Sequence, residues 1–468
     1  STTGRCSAVR AKALRASTLA LRAVSLPTPS RAFAQPYAAC ALKTHRIMDY
    51  RIFPPEEILE AAVALPQSKS MAMRAIALQW LIDGTVPEAL LPLCADTAVF
   101  GKNLAEYSNG IFTEFDCAAS GAALRFMIAL MAARPGAGCA IGGDARLNKR
   151  PIKPLVDALR SMGAEIEYLG TEGFAPVKIY GCRLKGGSVE VDASVSSQLI
   201  SALMLIAPGL DGGLEIKLNG TVQSAPYIKM TAGMMNACGA DVEIERDKVV
   251  VAARPYTRVA CEIEKDWSAA SYWYEIAALT AGWVTLPGLE DKSLQGDRGI
   301  VPLFERLGVI TEFTDEGAEL SATPDLYNGL EADLTDMPDA VPALAVTAAM
   351  AGIPFRLSGV GALHDKECDR IEALSQALLK LGIVTETEQY GTVFVWDGRR
   401  VPITELPVFD TYGDHRMAMA LAPVSVFVPG ITVRDAQVVE KSYPGFWDDL
   451  RHAGFVVRDP AGEMEEKA

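Results

Sequence analysis

Several basic residues of this 468-residue chain stand where loop gives way to helix, a placement that suits the binding of anions. From Leu65 the chain reads LPQSKSMAMRAIAL, which puts Lys69, Ser70 and Arg74 at the start of an expected helix with Pro66 just ahead. Lysine and arginine beside free helix N–H groups make an anion site, although a helix start with two solvated bases reads the same way. A second cluster, DARLNKRPI, places Arg146, Lys149 and Arg150 before another helix. Pro151 suits a first helical turn and would set Arg150 at the cap. In DASVSSQ, Ser196, Ser197 and Gln198 offer two adjacent hydroxyls and an amide ahead of an apolar helix. Such groups fit a phosphate or sugar-like hydroxyls, and capping accounts for only one of the serines. Further along, MPDAVPALAV sets Asp339 against a very apolar segment, where an unused carboxylate is costly. HDKECDR brings Lys366, Glu367 and Arg370 within about one turn, YGDHRMAMA supplies His415 and Arg416 ahead of an apolar helix, and Lys441 follows in EKSYPGFW. Each alone reads equally as a surface ion pair. Together Lys69, Arg74, Arg150, Arg370, Arg416 and Lys441 form a distributed basic set with few carboxylates, suited to substrates carrying phosphates and carboxylates.

The elements that must hold these residues recur along the chain. An amphipathic helix, a glycine and a short alternating strand appear at Leu155–Tyr168, Met230–Ile244, Leu303–Phe313, Ala377–Thr387 and Asp448–Val457, with a weaker copy ending near Phe115. In the first, Leu155, Val156, Leu159 and Met162 fall on one helical face. Gly163 supplies the left-handed residue that ends the helix, and Ala164, Ile166 and Tyr168 alternate with Glu165 and Glu167 as in a half-exposed strand. The period is too long for a solenoid and predicts repeated α/β units, most simply three in each of two domains.

Composition narrows the function classes. The net charge of −14 conceals an uneven distribution, because residues 1–47 hold eight Lys or Arg and no Asp or Glu. The remaining chain, with 36 basic against 58 acidic residues, argues against non-specific nucleic-acid binding. Nine cysteines without a C-x-x-C pair and four scattered histidines argue against a disulfide framework or a zinc site, and for a reducing compartment. The longest uncharged stretches, near 340–355 and 417–433, are broken by Pro and Gly and read as buried elements, so no membrane span is expected. Residues 1–47 have the composition of a transit peptide, or of a non-native leader ahead of a start at Met48, the reading preferred here.

LPQSKS with its Arg74, SGAALR, NKRPI, SVSSQ, SAPYI, SLQGD, MPDA, DKECDR, GDHRMAMA and EKSYP resemble, in order, the motifs of the 5-enolpyruvylshikimate-3-phosphate synthases. The resemblance runs from about residue 49 to 458. It implies an α/β fold of two domains, each built of three βαβαββ-like units, with 68–264 forming one domain and 49–67 with 265–460 the other, and 461–468 a tail. It also implies transfer of the enolpyruvyl group of phosphoenolpyruvate to the 5-hydroxyl of shikimate 3-phosphate by a cytoplasmic monomer, plastidic only if 1–47 is a genuine transit peptide. Lys69, Gly121, Arg150, Gln198, Arg370, Arg416 and Lys441 would bind phosphoenolpyruvate. Ser70, Arg74, Ser196, Ser197, Gln198, Tyr227, Asp339 and Lys366 would contact shikimate 3-phosphate, while Asp339 and Glu367 move protons with help from Lys69. No metal or organic cofactor is implied. Departures from the family pattern fall at Gln67, Met73, Ala119, Ala122, Phe126 and Ala362, each near the phosphoenolpyruvate end. The alternatives are a catalytically silent homologue that binds shikimate phosphates, and the sister enzyme acting on UDP-N-acetylglucosamine, whose first motif carries Lys-Asn and which lacks SVSSQ.

Overall fold

A computed structural model describes residues 48–91, 93–107, 110–258 and 262–460. The leader assigned to 1–47 and the tail assigned to 461–468 lie outside the described residues. Among the described residues the helix–glycine–strand unit builds five four-stranded sheets. Each has one parallel pair at an edge, followed by two antiparallel neighbours, and in four of the five a helix joins the parallel pair; the fifth pairs Glu60–Ala62 with Trp283–Pro287 across residues 63–282. The outermost antiparallel strand is in every case the one after the repeat's glycine: Glu165–Tyr168, Val242–Ile244, Val309–Thr314, Glu386–Glu388 and Val456–Arg458. Gly163, Gly239, Gly308, Gly382 and Gly454 all take positive φ, between 74° and 102°, so a residue without Cβ turns each helix into its strand.

The weaker copy behaves differently. Gly110 also has positive φ (80°), but the helix Ala95–Glu106 has ended before it, and the strand Phe112–Asp116 becomes the parallel edge of the first sheet. Two sheets lie within residues 112–251. The other three draw on strands from 283–458, together with Tyr50–Phe53 and Glu60–Ala62 from the start of the described chain. The antiparallel pairing of Tyr50–Phe53 with Ile431–Val433 and Val456–Arg458 ties that start to the end.

The apolar interior forms two separate clusters. One runs from Met71 to Val251. The other joins Ile52–Leu65 to Trp267–Val457. Their central helices are buried on nearly every side and are apolar apart from Arg125 and Thr347. Gly121–Ala132 leaves only Ala122 outside the buried set, and Val341–Met350 only Met350. Of the uncharged stretches read from sequence as buried elements, 340–355 holds the enclosed helix Val341–Met350, and 417–433 is buried through Ser425 but exposes Phe427; no helix among the described residues is long and apolar enough to cross a membrane. Where the chain passes from one cluster to the other, the two passing segments pair: Ser68 N donates to Glu264 O (2.8 Å) and Asp266 N to Pro66 O (2.9 Å).

Candidate active site

The helix starts picked out by sequence converge on one cleft. Lys69, Ser70, Arg74, Gly121, Arg150, Ser196, Ser197, Gln198, Tyr227, Asp339, Lys366, Glu367, Arg370 and Arg416 all line it, and Lys441 reaches its wall. Lys69 opens the helix Lys69–Asp83, its backbone N–H donating to Asp266 Oδ2 (3.2 Å). Ser196 caps the helix Ser197–Ile206 by accepting from Gln198 N, which frees Ser197 and the Gln198 amide for the cleft. Asp369 and Asp414 cap the helices that begin at Arg370 and His415. Arg150 departs from expectation. It is not a helix cap: the helix starts at Lys153, and Arg150 is extended at φ −82°, ψ 134°. Its extended backbone would suit a cap, but Ile152 takes that place, its N–H donating to Gly173 O (2.9 Å), and the helix begins after it.

The expectation of few carboxylates is also corrected. Asp339 is gripped from both sides, by Arg370 Nη1 (2.8 Å) and Arg416 Nη2 (2.9 Å), while the Tyr227 hydroxyl donates to its Oδ2 (2.8 Å). Arg370 also donates to Glu367 Oε2 (2.9 Å) and Asp414 Oδ2 (2.7 Å). Asp96 lies between Lys69 Nζ (3.2 Å) and Lys441 Nζ (3.3 Å), and Lys441 donates further to Ala119 O (2.7 Å). So many cations cannot share a low-dielectric cleft without counter-charges. Asp96, Asp414 and Asp297 were not singled out from sequence. Asp96 and Asp414 stand at helix starts, where acids are common, and Asp297 lies within SLQGD.

The charges shift the titrations in a consistent way. Burial opposes ionisation of Asp339, yet Arg416, Lys366 and Arg370 outweigh it and hold the carboxyl well below the usual range. Glu367 is held down likewise, against burial, by Lys441, Arg370 and Arg150. Burial acts to lower Lys69, but Asp96 wins and keeps it an ammonium. Lys366 goes the other way, lowered first by burial and, against the pull of Asp339, by Arg370 and Arg150. Burial and the charge of Asp339 keep the Tyr227 phenol protonated. His415 is pushed well below 6.5 by burial with Lys69 and Arg416 beside it, so it is neutral, and neither ring nitrogen has a hydrogen-bond partner. Asp297, which accepts from Ser268 Oγ, is raised to about 7 by burial and then by Asp339.

One wall of the cleft is under-neutralised. Arg125 donates to Gly121 O (3.0 Å) and Pro151 O (3.1 Å), and its nearest charge is another guanidinium, that of Arg150. Burial first, then Arg150, depresses Arg125. Arg150 meets only Glu367, at 4.0 Å, and the Nε groups of Arg125, Arg150 and Arg416, with Gln198 Oε1, are buried without partners. This wall carries more positive than negative charge. Arg74 is different: it donates to Thr231 Oγ1, Ser70 O, Ser201 Oγ and Tyr227 O, and burial lowers it to about 10. Among the described residues no group of three or more His, Cys, Asp or Glu is placed to hold a metal.

A family model described as EPSP synthase (3-phosphoshikimate 1-carboxyvinyltransferase) matches residues 103–450. A 3-phosphoshikimate 1-carboxyvinyltransferase of Bacteroides fragilis is 42% identical over 413 residues, 88% of this chain and 99% of that protein. One from Methanospirillum hungatei is 37% identical over 340 residues, covering 71% of this chain and 77% of its own. Among solved structures, EPSP synthase from Acinetobacter baumannii superposes with a TM-score of 0.67 at 21% identity, over 88% of this chain and 100% of that one. The enolpyruvyl transferase NikO from Streptomyces tendae gives 0.66 at 17%, over 88% and 99%. At those identities the two structures speak for the fold alone.

Proposed function

The chain belongs to the EPSP synthase family, and from that membership we infer how its cleft divides the labour of the reaction. As a 3-phosphoshikimate 1-carboxyvinyltransferase it moves the enolpyruvyl group of phosphoenolpyruvate onto the 5-hydroxyl of shikimate 3-phosphate and releases phosphate, in chorismate and aromatic amino acid biosynthesis. The observation that carries the assignment of roles is the position of Asp339, ionised between Arg370 and Arg416 and touching Tyr227.

Phosphoenolpyruvate is assigned to Lys69, Arg150, Arg370, Arg416 and Lys441, of which Arg150 stands on the under-neutralised wall, with the Gln198 amide beside it and Gly121 leaving it room. Shikimate 3-phosphate is assigned to Ser70, Arg74, Ser196, Ser197, Tyr227, Asp339 and Lys366, again with Gln198. Ser196 and Arg74 serve that site while tied into the protein, one as a cap and the other through four hydrogen bonds.

In the addition step Asp339 takes the proton of the 5-hydroxyl, whose oxygen bonds to C2 of phosphoenolpyruvate. Glu367, which takes up a proton from solvent once bound substrates weaken its cations' hold, gives that proton to C3. In the elimination step C3 returns a proton to Glu367 as the C2–O bond to phosphate breaks, and the departing phosphate takes the proton that Asp339 had accepted. Both carboxyls are held too acidic for this before substrates arrive. Entering phosphate and carboxylate groups compete for Arg370, Arg416 and Lys441, which loosens that hold and raises the basicity of Asp339 and Glu367. Lys69, an ammonium through Asp96, stabilises charge on the migrating group, and the fixed cations supply preorganised electrostatic stabilisation.

We propose two domains, 68–264 and 49–67 with 265–460, supported by the two apolar clusters and by the sheets to which Tyr50–Phe53 and Glu60–Ala62 belong. A monomer is proposed because residues of one chain line the cleft. A cytoplasmic location is proposed because the described cysteines are free thiols, the usage of a reducing compartment.

The test is phosphate release by the purified protein, with both substrates and then with each alone, in the parent and in Asp339→Asn. Release that requires both, with kcat lowered roughly 100- to 10,000-fold in the variant, is expected for loss of a general base. Parent-like kcat in Asp339→Asn would remove Asp339 from the chemistry.

A further inference from the structure

DARLNKRPI holds one more arginine than the cleft uses. Arg146 is exposed and is not among the residues lining the cleft. Its guanidinium nevertheless crosses to the far side of the molecule's sequence. Nε and Nη2 donate to the carbonyl of Lys366 (3.3 and 3.1 Å), and Nη2 donates also to the carbonyl of His364 (3.2 Å). Those carbonyls belong to the loop that presents Lys366 and Glu367 to the cleft.

The support under Arg146 is stiff. Asp144 N donates to Ala118 O (2.8 Å), and Asp144 Oδ1 accepts from Leu147 N (2.6 Å). The Asn148 amide closes the turn on both main-chain groups of Gly143, at 3.0 and 2.7 Å, and Leu147 is buried beneath it. A side chain on Gly143 would collide with Ala118 O, so this turn sits hard against the segment whose Ala119 carbonyl receives Lys441. On its own side the Lys366 loop is anchored by His364, whose Nδ1 is 2.8 Å from Asp369 Oδ2 and whose Nε2 is 3.0 Å from Gly391 O. The loop is therefore fixed at two points, and Arg146 ties its main chain to the opposite wall, where Arg150 reaches only the Glu367 side chain, at 4.0 Å. A planar guanidinium suits two nearby carbonyls, as a lysine ammonium does not.

We propose that Arg146 is a positioning residue for the transfer reaction: its guanidinium clamps the main chain at His364 and Lys366 and so sets Glu367 against Arg150 across the cleft. The inference rests on the roles given above to Lys366 and Glu367. Misplacement of a reacting group by about 1 Å is enough to cost rate while leaving the fold intact.

The experiment compares Arg146→Ala, Arg146→Lys and Arg150→Ala in the full chain, reading kcat, both KM values, melting temperature and amide exchange over 361–369 with substrates bound. Arg146→Ala should lower kcat by about tenfold, leave both KM values within about threefold, melt with the parent, and lose substrate-induced protection of 361–369. Arg146→Lys should stay near the alanine variant. Restoration of the parent rate by lysine, or a parent-like rate and protection in Arg146→Ala while Arg150→Ala is impaired, would overturn the clamp and leave the cleft assignment standing. Parent-like rates in both Arg146→Ala and Arg150→Ala would overturn the cleft assignment and the clamp together. Should Arg146→Ala fail to fold, Arg146→Gln is read in the same way.

Discussion

Gly121 shows how closely the wall of Arg125 and Arg150 depends on single atoms. A Cβ there would stand 2.6 Å from Arg150 Nη1 and 2.9 Å from Arg125 Nη1. Both neighbours are ends of flexible side chains, so Gly121→Ala should fold and push the guanidiniums aside. The expected result is a KM for phosphoenolpyruvate raised several-fold, about 1 kcal/mol, with the KM for shikimate 3-phosphate little changed. Steady-state kinetics with each substrate varied in turn will check this, and equal rises in both would place the two substrates differently. Several departures from the family pattern are absorbed at the same scale. Where the side chain of Ala119 is short, its carbonyl takes Lys441 (2.7 Å). Phe126 packs edge-on to Phe100 at 6.0 Å, with the Arg74 guanidinium 5.7 Å from its ring. Gln67 pairs with Lys265 where the two passing segments meet. Ala122 and Ala362 line the cleft with methyl groups.

At the scale of an element, the helix Trp267–Thr280 carries an unpaid cost. Glu275 is fully buried midway along it, and neither carboxyl oxygen has a hydrogen-bond partner. Burial alone raises its pKa well above the ordinary value. The folded protein thus keeps a proton that the unfolded chain releases once the pH passes the ordinary glutamate range. Stability contributed in acid is lost as pH rises, by about 1.4 kcal/mol per unit between the unfolded and folded pKa values. Glu275→Gln should flatten that slope, and Glu275→Met should also remove an unsatisfied group worth about 1–3 kcal/mol. Melting temperatures from pH 5 to 8 are the measurement. The parent should lose stability with pH faster than Glu275→Gln, and parallel curves would show that Glu275 is not a neutral acid in the fold.

At the scale of the whole molecule, two apolar clusters share one cleft. If 68–264 and 49–67 with 265–460 are separate domains, calorimetry of the protein without substrates should resolve two transitions. Shikimate 3-phosphate with phosphoenolpyruvate should raise the lower one and merge the pair, because ligands that need both walls stabilise both. One two-state transition without ligands, with calorimetric and van't Hoff enthalpies equal, would mean that the clusters melt as a unit.

Much of this protein was legible before any contact was known, because it rests on local chemistry. The left-handed glycines at 163, 239, 308, 382 and 454, the buried face of Leu155, Val156 and Leu159, the cap at Ser196 and the helix beginning at Lys69 each follow from a few neighbouring residues. The order of the basic motifs likewise pointed to the family. Three features came only from tertiary structure. Arg150 left the helix cap because Ile152, held by a hydrogen bond from its N–H to Gly173 O (2.9 Å), caps a helix that begins only at Lys153. The strand Phe112–Asp116 opened a sheet where the repeat suggested that it would close one. The carboxylates that decide the state of the cleft, Asp96 between Lys69 and Lys441 and Asp414 on Arg370, carried no signal in sequence. Helix starts and turns are short-range events that neighbouring residues determine, whereas a charge is paired through space, and the chain brings Asp96 to Lys441 only when the whole fold is complete.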